Sequence, residues 1–274
     1  MKMKLFLCIL LSLALILPVA ASDQPKYIAL SFDDGPSGHF TSDLLDGLAE
    51  RKVKASFFLC GYRVEQFPTL TKRIASEGHE IGTHGDTHSF FSELSPTEVC
   101  ADLQASVSKL EAITGERPKL LRPPGGIYDT ETLRQTTCAD LPIILWSVDP
   151  DDWCCSSSET IASRVVNRAK SGDIILLHDM SDSSVKAAFK IIDRLQAKGF
   201  EFVTVSELAQ LSGTSLQGAK AYFCFKPPQD ASISSFDAQT EPCTKKGFPP
   251  PRPFKSELSF RTSSRRSPSL HPMA

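Results

Sequence analysis

Two patterns alternate along the chain between Lys26 and Leu211. Short apolar, β-branched runs occur at "YIALSF", "KASFFLC", "HEIG", "KLLR", "IILWSV", "DIILLH" and "FEFVTV". Between most of them, apolar residues recur at helical spacing, over 41–51, 66–77, 96–114, 130–138, 159–170 and 184–198. Ser95 followed by "PTE" has the form of a capping box with proline at the first helical position. Strand–helix alternation predicts an α/β domain with a parallel sheet flanked by helices. Seven such repeats fit a barrel, or one lacking a unit, and equally an open doubly wound sheet. Periodicity alone does not choose.

The two ends depart from this alternation. Lys2 and Lys4 precede an almost unbroken apolar run from Leu5 to Leu17, and Pro18 leads into "VAAS". That layout predicts a signal peptide over residues 1–21, cleaved on export, with Val19 and Ala21 at the cleavage positions. If retained, the segment would be an anchor, although it is short for a full span. No second apolar stretch is long enough to cross a membrane. Residues 22–211 are the expected folded domain, long enough for a sizeable core. Residues 212–274 are rich in Pro, Ser and Lys/Arg without apolar period, which predicts a disordered basic tail.

Charge divides at the same point. Residues 212–274 hold 9 Lys/Arg against 4 Asp/Glu, whereas residues 23–211 hold 19 against 28. An acidic folded part argues against a nucleic-acid partner. Of the 8 cysteines, removal of Cys8 with the leader leaves seven, so at least one thiol is free or pairs between chains. No pair has the CxxC spacing of a zinc site. Export permits disulfides without requiring them, and scattered core thiols are the expected reading.

Chemistry-bearing residues fall at the ends of the apolar runs. "FDDGP" sets Asp33 beside Asp34, and like charges in contact make it harder to ionise both. The pair therefore either faces water or shares a cation; alone, it also reads as an Asx-capped turn made by Gly35 and Pro36. In "THGDTH", His84 and His88 are four apart and can grip one metal ion, although a bare HxxxH is weak. In "LRPPGG", Arg122 can lock a carboxylate by a bidentate pair, and Gly125 and Gly126 let backbone N–H groups approach a ligand. "SVDPDDWCC" places Asp149, Asp151 and Asp152 before Trp153, whose ring face suits a sugar; a core Trp is the alternative. "IILLHD" ends its strand on His178, where a satisfied core histidine would be ordinary. All five lie at the carboxyl ends of predicted strands, the edge where barrels and open α/β sheets assemble their sites.

In this order, "SFDDG", "HGDTH", "RPPGG", "DPDDW" and "LLH" resemble the NodB-like polysaccharide deacetylases of carbohydrate esterase family 4, over about residues 26–211. The resemblance implies a distorted (β/α) barrel of about seven units and a single divalent metal, usually zinc, with cobalt or another divalent ion as alternatives. It implies hydrolytic removal of acetyl groups from N-acetylglucosamine polymers, peptidoglycan or chitin, by a secreted or wall-associated monomer. It assigns Asp34, His84 and His88 to the metal, Asp33 to the general base with Arg122 as its partner, and His178 to the general acid tuned by Asp152. Gly125 would offer an N–H to the oxyanion, Leu176 would line the acetyl-methyl pocket, and Trp153 would stand beside it.

Two departures stand out. Gly85 replaces a usual Ser or Thr, which implies a less supported metal loop and lower metal affinity. Gly125 replaces a frequent aromatic residue, which removes a ring that would flank the sugar. Two rival readings are an acetyl-xylan esterase using the same site and a catalytically silent glycan-binding protein. No ligand, base or acid is missing, which argues against the second rival.

Overall fold

The computed structural model describes residues 25–226; the expected leader and the tail beyond 226 lie outside the described residues. Strands β1 (Lys26–Asp33), β2 (Ser56–Leu59), β3 (Glu80–Thr83), β4 (Ile143–Ile144), β5 (Ile174–His178), β6 (Phe200–Val203) and β7 (Ala221–Tyr222) alternate with helices. These are α1 (His39–Glu50), α2 (Gly61–Gln66), α3 (Pro68–Ser76), α4 (Pro96–Thr114), α5 (Thr130–Gln135), α6 (Ser158–Val166), α7 (Asp182–Gln196) and α8 (Val205–Leu211). The main sheet runs β3-β2-β1-β5, with β6 also on β1, and every strand pair in it is parallel. Single parallel bridges, Thr83 to Leu121, Leu121 to Ile143 and Val148 to Ile175, carry the pairing from β3 round to β5. The path is compatible with the distorted barrel. The "KLLR" run contributes one bridging residue, Leu121, rather than a strand, because Pro118 and Pro123 on either side offer no N–H to a ladder.

The sheet separates core from site by its two-residue period. On β1, Ile28, Leu30 and Phe32 join Ile175 and Leu177 of β5 in the core under α1 and α7. The intervening residues Ser31 and Asp33 point to the other face, with register partners Leu176 and His178. α7 buries Val185, Ala188, Ile191, Ile192 and Leu195 on one stripe against this core. Each such aliphatic side chain contributes roughly 1.5–3 kcal/mol by leaving water.

Local signals explain several boundaries. α4 starts at the predicted capping box, with Ser95 Oγ accepting from Glu98 N and Glu98 Oε2 accepting from Ser95 N at 2.8 Å, and ends at Gly115 with φ 80°. The helix expected over 66–77 is α3, which opens at Pro68; the short α2 before it was not expected, and Phe67, held non-helical by Pro68, separates the two.

Two expectations are corrected. A disulfide joins Cys100 of α4 to Cys138, so the thiols are not all scattered and unpaired; Cys60, Cys154 and Cys155 are free. The domain also extends beyond 211. β7 pairs with β4, Phe225 N–H donates to the Gly172 carbonyl at 2.7 Å, and Tyr222 and Phe225 are buried. The apolar run "AYFCF" that does this was averaged away in the polar composition of the longer segment. Among the described residues no helix is long and apolar enough to cross a membrane.

Candidate active site

β1 ends at Asp33, and the chain then turns at Asp34, which adopts φ 71°. This left-handed residue, rather than Gly35, swings the second carboxylate away from the strand alternation. Gly35 is required for a different reason: a Cβ there would lie 2.7 Å from both carboxylate oxygens of Asp179. Asp33 is 3% exposed and Arg122 is fully buried, and Arg122 Nη1 donates to Asp33 Oδ1 at 2.6 Å. The expected bidentate pair is not formed. The guanidinium divides its donors among Asp33, Ser31 Oγ (2.9 Å) and the carbonyls of Ile144 (2.9 Å) and Leu145 (3.0 Å), over the Phe58 ring. Burial pulls Arg122 below its ordinary pKa, and Asp33 opposes that shift. A buried cation so fully hydrogen-bonded holds Asp33 in one orientation.

The loop after β3 carries both histidines. His84 Nδ1 lies 2.7 Å from the Arg122 carbonyl, an arrangement in which Nδ1–H donates and Nε2 keeps its lone pair. His84 Nε2 and His88 Nε2 approach Asp34 Oδ1 to 3.3 and 3.0 Å. That oxygen is buried and receives no well-directed hydrogen bond. The ligand atoms of Asp34, His84 and His88 all lie within 4.8 Å of one another. Burial disfavours the Asp34 carboxylate, but the two imidazoles hold it well below the usual range. One carboxylate oxygen and two imidazole nitrogens meeting around an otherwise unsatisfied point suit a divalent cation with positions left open.

At Gly85 the loop has a support that the sequence alone did not suggest. Asp102 of α4 reaches under the loop and accepts from Asp86 N (2.7 Å), Thr87 N (3.0 Å) and Thr87 Oγ1 (2.7 Å). Gly61 N and Tyr62 N add bonds to the Gly85 and Asp86 carbonyls, each at 3.0 Å. Gly85 adopts φ 76°, and a Cβ there would lie 2.7 Å from Asp102 Oδ2. The Asp102 carboxylate that supports this loop thus occupies space a side chain at position 85 would need.

On β5, His178 Nδ1 lies 2.8 Å from Asp152 Oδ1, and His178 N donates to Asp152 Oδ2 at 2.8 Å. Burial would lower the His178 pKa, but the bond and charge of Asp152, with Asp34 and Asp33 beyond, push it up to about 10. Leu176 is buried two residues before His178, on the same face. Trp153 is 49% exposed beside Asp152, so it is not a core Trp. In the "PPGG" turn, Gly126 N–H bonds the Pro123 carbonyl at 2.9 Å, leaving the Gly125 N–H outside that bond.

Three residues absent from the sequence reading also belong to this edge. Asp102 lies one turn along α4 from buried Val99, and a charge beside that inward stripe was the available signal. Asp179 is fully buried; Thr41 Oγ1 donates to its carboxylate and Ser37 Oγ to its carbonyl, tying the loop after β1 to the end of β5. Burial pushes Asp179 up to about 6. Phe90 packs on Gly125, a contact across 35 residues that no local pattern announces.

Comparisons with known proteins identify the family. Residues 20–143 match the family described as polysaccharide deacetylase. A peptidoglycan-N-acetylglucosamine deacetylase of Bacillus cereus is 41% identical over 191 residues, covering 68% of this chain and 89% of that protein. The peptidoglycan-N-acetylmuramic acid deacetylase PdaC of Bacillus subtilis is 41% identical over 187 residues, of which this chain spans only 39% of the relative's length. A family 4 acetyl xylan esterase from Clostridium thermocellum, solved with a cobalt ion, superposes with a TM-score of 0.68 at 31% identity, covering 73% of this chain and 98% of that one. The chain belongs to the polysaccharide deacetylase family.

Proposed function

We propose that this polysaccharide deacetylase hydrolyses the acetamido groups of N-acetylated amino sugars in a glycan polymer, peptidoglycan foremost and chitin-type chains next, and releases acetate. The observation that carries this reading is the convergence of Asp34, His84 and His88 within 4.8 Å, beside an Arg-paired Asp33 and an Asp-paired His178. The two relatives named for peptidoglycan deacetylation support the substrate class. An exported, wall-facing enzyme fits both that substrate and the leader expected over 1–21.

Asp34, His84 and His88 would hold the divalent ion, with zinc favoured by the mixed nitrogen and oxygen donors. When bound, such an ion supplies Lewis-acid polarisation of the acyl group and a water acidic enough to attack at neutral pH. Asp33, oriented by Arg122, takes the proton from the attacking water. The Gly125 N–H donates to the oxyanion of the tetrahedral intermediate. His178 gives its Nε2 proton to the leaving nitrogen as the C–N bond breaks, and Asp152 holds the ring and its charge. Leu176 lines the space for the acetyl methyl, and Trp153 offers its exposed face to the sugar.

A second reading, ester hydrolysis on acetylated xylan, is supported by the esterase among the similar structures. The His178–Asp152 pair favours the amide, because an amine cannot leave without protonation, whereas an alkoxide depends on it less. The test is acetate release from peptidoglycan, chitin oligomers and acetyl-xylan, with and without chelator. Chelator-sensitive release from an amino-sugar polymer is expected; release from acetyl-xylan alone, or full activity in metal-free protein, would overturn the reading.

A further inference from the structure

The turn at Gly125 leaves no room for a side chain, because Phe90 already stands there. A Cβ on Gly125 would lie 2.8 Å from Phe90 Cε1 and 3.4 Å from Cδ1, and Gly125 adopts φ 67°. The Phe90 ring also lies 6.3 Å, centroid to centroid, from that of His88, whose Nε2 faces Asp34. The ring therefore neighbours both the His88 imidazole and the glycine turn. Its neighbour Phe91 is 1% exposed and packs with Val99 and Leu103, anchoring the segment. Phe90 itself is partly exposed. An anchored ring with apolar surface open to solvent beside the reacting groups is a contact surface awaiting a partner.

We infer that Phe90 is the sugar platform of this site, taking the C–H face of a pyranose ring that carries or adjoins the acetamido group. Ring faces are electronegative and sugar C–H edges are electropositive, so the two attract beyond simple burial. The aromatic expected at position 125 is thus supplied from the loop after β3, and Gly125 is the condition for it. The inference rests on the deacetylase reading above and adds a specificity-determining residue to it.

The test measures kcat and KM on a soluble N-acetylated amino-sugar oligomer, together with bound metal, for Phe90→Leu and Phe90→Tyr. Phe90→Leu, which keeps bulk and removes the ring, is expected to raise KM about 3–10-fold with kcat little changed and metal content unaltered. Phe90→Tyr is expected to keep the wild-type KM. An unchanged KM in Phe90→Leu overturns the inference. So does a fall in kcat alone or a loss of metal, either of which would make Phe90 a support for His88 only. If the wild type releases no acetate from any amino-sugar polymer, the deacetylase reading itself falls, and the platform with it.

Discussion

Asp33 and His178 are register partners on adjacent parallel strands, and each is the last residue of its strand. Neighbouring strands lie about 4.8 Å apart, and partners in a parallel pair share a face. The proposed base and the proposed acid are therefore spaced by the sheet ladder rather than by loops. Each has its own orienting partner as well, Arg122 at 2.6 Å and Asp152 at 2.8 Å. A proton acceptor and a proton donor held this way need little rearrangement during the reaction.

Asp33 touches Arg122, whereas Asp34 faces the two imidazoles. Asp34→Ala or His88→Ala should lose bound metal and activity together. Asp33→Asn should retain metal while turnover falls about 10²–10⁴-fold. Metal analysis and acetate release on the same samples separate the two; a rate for Asp33→Asn within a few-fold of wild type would remove it from the role of base.

The His178 pKa of about 10 arises against burial and through Asp152. An acid acts while protonated, so its contribution persists above the ordinary histidine value and fades as pH rises through the raised one. Asp152→Asn removes the opposing charge, and the alkaline limb of the kcat profile should then move down by at least about one pH unit. An unmoved limb would detach Asp152 from the tuning of His178.

Asp102 receives three hydrogen bonds from the loop between His84 and His88. Asp102→Ala should weaken metal affinity about 10–100-fold, as outer-sphere losses do, in a competition titration with a chelator. Gly85→Ala should also lose affinity, because its Cβ would meet Asp102 at 2.7 Å and its φ of 76° suits glycine.

How much of this was legible depended on whether the signal was local. The ends of α4 could be read because Ser95, Pro96, Glu98 and Gly115 each act on their own helix terminus. The five site motifs could be read because strand ends concentrate them on one edge. Arg122 suggested a bidentate clamp, yet its four bonds depend on carbonyls 22 and 23 residues away and on Ser31, 91 residues away. Asp102 and Phe90 act across the fold; the inward stripe of α4 set Asp102 apart, but nothing in a single sequence names the partners of either residue. β4 could be read because it opens the apolar run "IILWSV", whereas β7 is two residues, too short for any period to register.

β7 and Phe225 also bear on truncation. Ending the chain after Leu211 removes the parallel partner of β4 and exposes surface covered by Tyr222 and Phe225. The loss should be about 3–6 kcal/mol from two aromatic side chains, seen as a lower denaturant midpoint. An unchanged midpoint would return residues 212–226 to the tail.

Asp179 gives a pH signature of the opposite sign from an ordinary paired carboxylate. Its folded pKa is raised to about 6, chiefly by burial, so the folded state binds its proton more tightly than the unfolded chain does. Its contribution to stability is therefore best at low pH and declines as pH rises from about 4 to about 6, by about 2–3 kcal/mol. The difference in unfolding free energy between chelated wild type and chelated Asp179→Asn should grow across that window in favour of the variant. A difference that stays flat would mean that the carboxylate titrates normally.

β1 hydrogen-bonds to three strands, β2 and β6 along one edge and β5 along the other, and it also delivers Asp33. It cannot fray without dissolving the sheet around it. Heat inactivation should therefore coincide with global melting rather than precede it, and the amides of Leu30 and Phe32 should be among the last to exchange with deuterated solvent. In this molecule, catalytic competence is itself a gauge of whether the chain is folded.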